Sequence, residues 1–438
     1  LRDWLPADHL AWFVIDAVAA LDTCAFWAEL RADGVGRASY DPDLMLAVLI
    51  YAYCRGERSS RLIERRLHED LAYRVIAANH TPDHATIARF RQRHEAALGE
   101  LFTQALALCA RAGMIAVGVV ALDGTKIAAN ASMQANRTRE ALAEEVARIL
   151  AEAAETDAAE DALYGPGRRG DEPPPELCDP RSRRERITKA LAELDREDAA
   201  RTSAHEAHLE ARAARERETG KGIRGRRPKA PAPDLTAKAN TTDPDSRVQK
   251  TSLGFLQGYN AQALVGPGQI VFAAELSACA ADVNLFAPVL SAAQENLRAA
   301  GVARPIGTVL ADAGYLSEAN LARPDGAPDR LIATMSGRTL RERAAAGPPR
   351  GRLAGLAPIE RMTRRLLTKP GRALYTRRSM MIEPVFGQIK SPRAITAFMR
   401  RGLAACQSEW RLITLTHNLL KIWRGGYAER ALERPQAA

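Results

Sequence analysis

The sequence lacks the features that mark membrane, secreted and zinc-binding proteins. Its longest apolar run, Leu44 to Cys54, has 11 residues and stops at Arg55, whereas a membrane-spanning helix needs about 20. The first residues show neither a basic leader nor a cleavage motif, so we expect no export and no membrane partner. The six cysteines are scattered without a Cys-x-x-Cys pair. Neither a disulfide framework nor a structural zinc site is therefore expected, and a reducing cytoplasm is the expected compartment.

Motifs of several common enzyme classes are also missing. The sequence contains no Gly-x-Ser-x-Gly and no His-Glu-x-x-His, which mark serine hydrolases and zinc proteases. A Gly-x-Gly-x-x-Gly match at 165–170 lies in a proline-rich loop with no strand before it, so it does not indicate a dinucleotide site. Gly220-Lys221 lacks the Ser or Thr that a phosphate-binding loop requires. Nucleotide-dependent chemistry is thus not indicated.

Charge is distributed unevenly along the 438 residues. The chain carries 62 Lys and Arg against 53 Asp and Glu, a net charge of +9. The segment 331–438 holds 21 basic and 6 acidic residues, a net charge of +15, whereas residues 1–330 hold 41 basic and 47 acidic ones, a net charge of −6. A cationic segment of this kind favours an anionic partner, and nucleic acid is the expected one because no membrane segment is predicted.

The N-terminal region predicts an all-α domain. From about residue 7 to 113 apolar residues recur at intervals of three and four. Thr81-Pro82-Asp83 has the residues of a helix start, and the helix that follows shows Arg89, Arg91 and Arg93. One interpretation is a helix-turn-helix whose second helix meets DNA. The other is an ordinary amphipathic helix with a solvated basic face.

After residue 113 the pattern becomes that of a mixed sheet. Ile115 to Leu122 is apolar on both faces and ends at Asp123, which is typical of a strand in a covered sheet. Further patterns follow in the order strand, strand, helix, strand, strand: Leu253–Val265, Gln269–Leu276, Val283–Ala300, Ile306–Leu310 and Leu331–Met335. This order predicts an α+β fold, in which helices flank an RNase H-like mixed sheet, with an all-α N-terminal domain and a helical insertion.

An Ala-, Glu- and Arg-rich region interrupts the sheet pattern. Two helical stretches flank a loop dense in Gly and Pro, and one narrow apolar stripe on each predicts a helical hairpin. The stripes are Leu142, Val146 and Leu150, then Ile187, Leu191 and Leu194. The predicted domains are an all-α domain for DNA binding and assembly at 1–113, an RNase H-like domain at 114–136 and 237–425, the insertion with a basic linker at 137–236, and a tail at 426–438.

Three acidic residues are candidates for a metal site. Asp123 and Asp312 follow predicted strands, where a buried carboxylate is costly unless a positive group neutralises it. Carboxylates at strand ends bind Mg²⁺ or Mn²⁺, and two such ions about 4 Å apart can activate an attacking oxygen and stabilise the leaving one. Glu383 would be the third ligand, with Lys390 about 10.5 Å further along the same helix face. The alternative, that the aspartates are helix N-caps, stays open at this point.

Four stretches resemble the catalytic domain of bacterial insertion-sequence transposases of the DDE type. They read ALDGTKIAANAS, TDPDSRVQKTSLGFLQGYNAQALV, VLADAGYL and YTRRSMMIEPVFGQIK. Residues 40–94, which include PDHATIARFRQRH, are similar to the N-terminal helical domain of the same transposases. The resemblance covers about 40–130 and 237–423 and leaves out the insertion.

The resemblance implies a DNA transposase with an RNase H-like catalytic domain. Asp123, Asp312 and Glu383 would be its catalytic and metal-binding triad, with Mg²⁺ as cofactor and Mn²⁺ as a substitute. Two metal ions would activate water to cut the transposon ends, and the freed 3′-OH would attack target DNA. The implied partners are double-stranded DNA, as terminal inverted repeats and target, and a second copy of the chain in a homodimer on paired ends. The implied location is the nucleoid of a bacterial cytoplasm.

One departure from the family pattern affects the signature around the glutamate. The resemblance implies Tyr-x-x-Arg…Glu…Lys, which Tyr375, Arg378, Glu383 and Lys390 match except that four residues instead of three separate Arg from Glu. On a continuous helix Arg378 would be turned about 140° away from Glu383. If the helix begins at Pro384, this argument does not apply, since Arg378 then precedes the helix.

Contacts with DNA are expected from basic and aromatic side chains. The predicted DNA-binding residues are Tyr375, Arg378, Lys390, Arg377, Arg89 and Arg93. Further phosphate neutralisation is expected from Lys369, Arg372, Arg393, Arg400 and Arg401. Trp410 either stacks on an unpaired base or packs in the core. Two alternative functions remain: a metal-dependent nuclease that cuts without joining, and an inactive DNA-binding or repressor protein derived from a transposase.

Overall fold

The fold is that of a computed structural model of the full chain. The structure describes residues 2–30, 39–148, 183–220, 236–251, 254–322, 325–345 and 355–433, together with 151, 222, 228–232, 234 and 347. The glycine-rich match at 165–170, Leu150 of the predicted hairpin stripe, and Lys221 of the Gly-Lys pair lie outside the described residues. No helix among the described residues is long and apolar enough to cross a membrane.

Helices form the N-terminal region, as the apolar spacing predicts. Within it, Asp41 caps the third helix by accepting hydrogen bonds from the backbone N–H groups of Asp43 and Leu44, and Gly56 ends that helix in the left-handed conformation. This helix contains the apolar run 44–54, which is buried. The helices are α1 (Leu10–Ala19), α2 (Cys24–Trp27), α3 (Pro42–Arg55), α4 (Ser60–Glu69), α5 (Leu71–Ile76), α6 (His84–Arg93) and α7 (Glu95–Arg111).

Among the described residues, the strands form one mixed six-stranded sheet and one two-stranded sheet. They are β1 (Val119–Ala128), β2 (Asn136–Thr138), β3 (Lys238–Asn240), β4 (Arg247–Thr251), β5 (Gly254–Val265), β6 (Val271–Ser277), β7 (Thr308–Ala311) and β8 (Asp329–Ile332). The large sheet has the order β4-β5-β1-β7-β8, and β6 pairs with β5. Strands β1, β7 and β8 are parallel, whereas β5 is antiparallel to both β4 and β6. This order and these directions confirm the predicted RNase H-like mixed sheet.

The first strand lies further along the chain than the sequence predicts. The predicted strand was 115–122, whereas β1 spans Val119–Ala128, so Asp123 lies inside the strand and not after it. Only Val120 to Leu122 are buried on both faces, and apolar pattern alone therefore marks too short a strand. The second neighbour of β1 is β5, a strand of 12 residues, and pairing with it lets the polar residues after Leu122 remain in the sheet.

Helices cover the sheet in the second half of the chain. The last long helix packs on α7 and β6, and its Trp410 is fully buried with the indole Nε1–H donating to the carbonyl oxygen of Gln262 at 2.9 Å. Trp410 is therefore a core residue and not a base-stacking one. The helices are α10 (Phe286–Ala299), α11 (Glu318–Leu321), α12 (Gly337–Ala345), α13 (Pro358–Leu367), α14 (Lys369–Lys390), α15 (Leu403–Arg424) and α16 (Ala428–Leu432), preceded in the insertion by α8 (139–148) and α9 (Arg183–Thr219).

The chain clusters into two compact units. One comprises 1–127 with 259–438, and the other comprises 128–258. The second unit has its own apolar core, in which Leu142, Ile187 and Leu194 are buried. These three residues belong to the two stripes that predicted the helical hairpin. The domain boundaries themselves stay a prediction.

A buried ion pair ties the N-terminal helices to α15. Arg58 Nη1 lies 2.8 Å from Glu409 Oε1, and the side chains are 7% and 0% exposed. Arg58 also donates to the carbonyl oxygen of Ala397 at 2.7 Å, and Glu409 accepts hydrogen bonds from the backbone of Met399 and Arg400. Both charges are thus hydrogen-bonded as well as paired, which is the condition under which a buried pair is tolerated.

We expect the Arg58→Met substitution to lower the free energy of unfolding by about 3–5 kcal/mol, because it leaves the carboxylate of Glu409 buried without its cation. Denaturant unfolding of the full chain measures this loss. The matched control is Arg338→Met, which breaks the exposed pair of Arg338 with Glu342 and should change stability by less than about 1 kcal/mol. Equal effects of the two substitutions would contradict the structural role of Arg58.

Candidate active site

The register of two parallel strands brings Asp123 and Asp312 to one edge of the sheet. Strand β1 pairs with β7 so that Leu122 lies opposite Ala311. Asp123 is the next residue along β1, and Asp312 directly follows β7. Because the strands are parallel, the two carboxylates occur at the same level, at the carboxyl end of β7. This edge is where open α/β sheets place their ligands.

Each aspartate is also held by its own backbone turn. Asp312 accepts a hydrogen bond from the N–H of Gly314 at 2.9 Å and caps a short helical turn, Ala313–Tyr315. Asp123 accepts one from the N–H of Gly124 at 2.8 Å. The N-cap interpretation is therefore met by Asp312, but a cap uses one carboxylate oxygen and leaves the other available. Capping and metal binding are compatible here.

Burial makes the charge of Asp123 costly. Burial raises the pKa of Asp123 to about 6, Arg378 opposes the shift, and the negative charge of Asp312 adds to it. The cost of removing this carboxylate from water is therefore larger than the stabilisation that the charge of Arg378 provides. A carboxylate in this situation is stabilised by a further positive charge nearby.

Glu383 lies within a long helix and not at a helix start. Helix α14 runs continuously from Lys369 to Lys390, with Pro384 inside it. The alternative in which the helix begins at Pro384 is therefore wrong. The helix starts 15 residues earlier, where Thr368 caps the N–H of Gly371 and Pro370 occupies the first turn. The side chain of Glu383 is 63% exposed and therefore faces solvent. It lies near Asp123, because Arg378 contacts both residues.

Arg378 connects the acidic residues despite its position on the helix. Its Nη1 lies 2.5 Å from Asp123 Oδ2, and its Nη2 lies 3.9 Å from Glu383 Oε1. The Cα positions of Arg378 and Glu383 are rotated by about 140° around the helix axis. The arginine side chain is nevertheless long enough to bring its guanidinium group to Glu383. Arg378 also lies over the ring of Tyr375, with Cζ 5.9 Å from the ring centroid. The extra residue in the signature does not remove this arginine from the site.

A polar network that the sequence argument missed borders the aspartates. Asn260 and Gln262 of β5 both donate to Oδ1 of Asp282, at 2.7 and 2.9 Å. The Nζ atom of Lys126 lies 3.7 Å from the same oxygen. A signal for the two amides was present, since Asn260 and Gln262 lie two residues apart in a largely apolar strand and so share one face. Asp282 lies in a loop and had no such signal.

The predicted DNA-binding residues divide into exposed and partly buried groups. Arg377 is exposed, as are Arg89 and Arg93 on α6. Lys390 is partly buried and donates to the backbone carbonyl of Lys126 at 3.0 Å, and burial lowers its pKa. Tyr375 is also partly buried. The structure thus brings Arg378 and Tyr375 to the acidic residues, holds Lys390 against the backbone of Lys126, and places Arg89 and Arg93 on α6.

Two of the arginines counted as surface charge are structural. Arg393 is 5% exposed, and its guanidinium donates to the carbonyl oxygens of Tyr53 and Ile413. It therefore does not neutralise a DNA phosphate, contrary to the prediction. Arg91 is 8% exposed and donates to the carbonyl oxygen of Arg58 at 2.8 Å. Neither role is visible in the sequence, because the acceptors belong to distant segments.

The exposed arginines of α6 line an open cleft in the N-terminal helices. The cleft has a volume of about 610 Å³, and Arg89 and Arg93 lie one turn apart on its wall. Aromatic rings of Tyr40 and Phe90 line it as well. Cationic and aromatic groups around one cleft suit phosphates and bases.

The acidic residues fit a hard divalent cation by the chemistry of their donors. Asp123 and Asp312 offer carboxylate oxygens at one sheet edge, which Mg²⁺ and Mn²⁺ prefer. Arg378 supplies one positive charge to the partly buried Asp123 and also lies 3.9 Å from Glu383, and a divalent cation would supply the further positive charge. Within the described ranges, no group of three His, Cys, Asp or Glu side chains is arranged closely enough to hold a metal. Among these residues, Arg378 connects Glu383 to Asp123.

Comparison with known proteins gives two family matches. Residues 1–93 match a transposase domain, DUF772. Residues 357–423, which include α14 and Glu383, match a transposase DDE domain. No curated protein and no solved structure matches the chain. The two family matches, one near each end of a chain with a mixed α/β fold, support the identification of this protein as an insertion-sequence DDE transposase.

Proposed function

We propose that the protein cuts the ends of a DNA transposon, frees a 3′-OH at each end and joins it to target DNA by transesterification. One observation carries this proposal: Asp123 within β1 and Asp312 at the carboxyl end of the parallel strand β7 lie at the same level of the sheet, and Arg378 links Asp123 to Glu383 of α14. The catalytic and metal-binding roles of Asp123, Asp312 and Glu383 belong to this proposal.

Each acidic residue has a distinct part in the proposed site. Divalent metal ions held by Asp123, Asp312 and Glu383 would activate the attacking oxygen and stabilise the leaving one. Asp123 and Asp312 are fixed by the sheet and by their backbone hydrogen bonds, so they would define where the scissile phosphate sits. Glu383 is mostly exposed on its helix and would complete the site when DNA binds.

The surface of α14 supplies groups for the DNA backbone. Arg377 is exposed, and Arg378 is held near the acidic residues by Asp123. An arginine fork matches the geometry of a phosphate. We propose that Arg378 contacts the phosphate next to the cut, that Arg377 contacts a neighbouring one, and that Tyr375 and Lys390 support them.

An assay on DNA that carries the flanking inverted repeats tests the proposal. Wild-type protein with Mg²⁺ should nick the end of the repeat and then join the 3′-OH to a second duplex. Pre-cleaved ends separate the two steps. Cutting without any joined product would favour the nuclease alternative. Binding to the repeats without cutting, in Mg²⁺ and in Mn²⁺, would favour the inactive DNA-binding alternative.

We expect the N-terminal helices to contribute DNA affinity through Arg89 and Arg93. The double substitution Arg89→Gln, Arg93→Gln should weaken binding to all duplexes. It should also reduce the slope of log affinity against log salt concentration by up to about two, because up to two phosphate contacts are lost. Fluorescence anisotropy across a salt series measures both quantities. The control is Arg65→Gln on α4, which is exposed and paired with Glu69. An unchanged salt dependence in the double variant would favour the interpretation of α6 as a merely solvated helix.

A further inference from the structure

A fourth carboxylate, Asp282, lies next to the two aspartates of the site. It is in the loop between β6 and α10, and its side chain is 25% exposed. The hydrogen bonds from Asn260 and Gln262 and the contact with Lys126 all fall on Oδ1. The Oδ2 atom of Asp282 faces Gly314. If Gly314 carried a Cβ atom, that atom would lie 3.1 Å from Oδ2 of Asp282 and 3.1 Å from Oδ1 of Asp312. Asp282 and Asp312 thus approach each other across Gly314, where a larger residue would press on both carboxylates.

The hydrogen bonds around Asp282 have a fixed direction. Tyr315, in the same turn as Asp312, donates its hydroxyl to Oε1 of Gln262. The amide of Gln262 is thereby oriented so that its nitrogen donates to Asp282 and to Oδ1 of Asn260, both at 2.9 Å. Tyr315, Gln262 and Asn260 are fully buried. Both side-chain amides of this buried network donate to the same carboxylate oxygen, which holds the carboxylate of Asp282 in a single place.

The same network reaches the other aspartate. A Cβ atom on Gly124, the residue after Asp123, would lie 2.2 Å from Nε2 of Gln262 and 3.1 Å from Oδ1 of Asp282. Asp282 is therefore wedged between the residue that follows Asp123 and the turn that carries Asp312. It connects the two parts of the backbone whose relative position defines the site.

We infer that Asp282 is a positioning residue for the Asp123–Asp312 pair, which fixes the turn of Asp312 and adds a negative charge beside it without being a metal ligand. This inference rests on the proposed metal binding by Asp123 and Asp312. An added negative charge strengthens the attraction of the pair for a divalent cation. Lys126 opposes this effect because it partly neutralises Asp282.

Mn²⁺ binding to the full chain, followed by electron paramagnetic resonance, tests this role without requiring catalysis. Asp282→Asn keeps the shape and an acceptor oxygen but removes the charge, and we expect it to weaken Mn²⁺ binding about tenfold. Lys126→Met should tighten binding. The double variant should return close to wild-type affinity, because it leaves the net charge beside Asp312 unchanged. A purely structural role of Asp282 predicts no such recovery.

Controls separate this inference from the proposed function. Glu295→Gln removes an exposed charge on α10 and should leave Mn²⁺ affinity unchanged. If wild type binds Mn²⁺ no better than Asp123→Asn does, the proposed function fails. If wild type binds better than Asp123→Asn, but Asp282→Asn binds as wild type does, only the inference on Asp282 is overturned. If Asp282→Asn does not fold, Lys126→Met decides alone: tighter binding supports the inference, and unchanged or weaker binding overturns it.

Discussion

Asp123→Asn and Asp312→Asn are each expected to lower the rate of DNA strand cleavage by about a thousandfold or more, while DNA binding is retained. The amide has the size of the carboxylate but carries no charge, so it loses affinity for a divalent ion. A thousandfold loss corresponds to about 4 kcal/mol of transition-state stabilisation, which is within the range attributed to metal-ion catalysis. Single-turnover nicking of a labelled repeat end measures the rate, and gel shift measures binding.

The same chemical change elsewhere provides the control for this prediction. Asp16 is exposed on α1, and Asp16→Asn should leave cleavage and joining unchanged. Joining should fall together with cleavage in the Asp123 and Asp312 variants, because both steps use the same site. If either variant joined pre-cleaved ends at the wild-type rate, that residue would not belong to the catalytic triad.

The position of these two aspartates is the part of the site that sequence reasoning predicts best. Apolar runs that are buried on both faces mark β1 and β7, and parallel neighbours in a covered sheet bring the residues after them to one edge. The length of β1 was nevertheless underestimated. Its pairing with β5 continues beyond Leu122, and a periodicity argument detects burial but not backbone pairing.

Helix α14 shows why the third acidic residue was harder to place. The segment contains two prolines that can each occupy a first helical turn, Pro370 and Pro384. Tertiary packing decides between them, since Met381, Ile382 and Val385 are buried on either side of Pro384. The packing gain keeps the helix continuous through a proline that costs one backbone hydrogen bond. Such a gain depends on where the sheet lies and is not a local property of the sequence.

Buried charges are the other feature that composition conceals. The count of 21 basic residues in 331–438 suggests a uniformly DNA-facing segment. Arg393 is instead buried against backbone carbonyls of α3 and α15, and Arg400 pairs with Glu95. These arginines hold helices together, so part of the positive charge serves the fold. The net charge of the segment overestimates what is available to DNA.

Arg378 leads to a prediction in which metal affinity and catalysis change in opposite directions. Its guanidinium lies 2.5 Å from Oδ2 of Asp123, so it competes with a divalent ion for the same carboxylate. A charged hydrogen bond contributes about 1.5–3 kcal/mol, and its removal in Arg378→Gln should tighten Mn²⁺ binding by about tenfold. Cleavage should still slow by about a hundredfold, because the proposed phosphate contact next to the cut is lost.

The neighbouring arginine separates these two effects. Arg377→Gln removes an identical charge from the same helix, but Arg377 is exposed and α14 turns about 100° between adjacent residues. It should weaken DNA binding modestly and leave Mn²⁺ affinity unchanged. Arg378→Lys keeps the positive charge but cannot form two parallel hydrogen bonds to a phosphate. The Mn²⁺ affinity of this variant should therefore stay near that of wild type, while its cleavage rate falls. Weaker Mn²⁺ binding in Arg378→Gln would mean that Arg378 supports the acidic site instead of competing with the metal. Under that outcome the ion pair with Asp123 would persist in the active enzyme, and Arg378 would not be free to contact DNA.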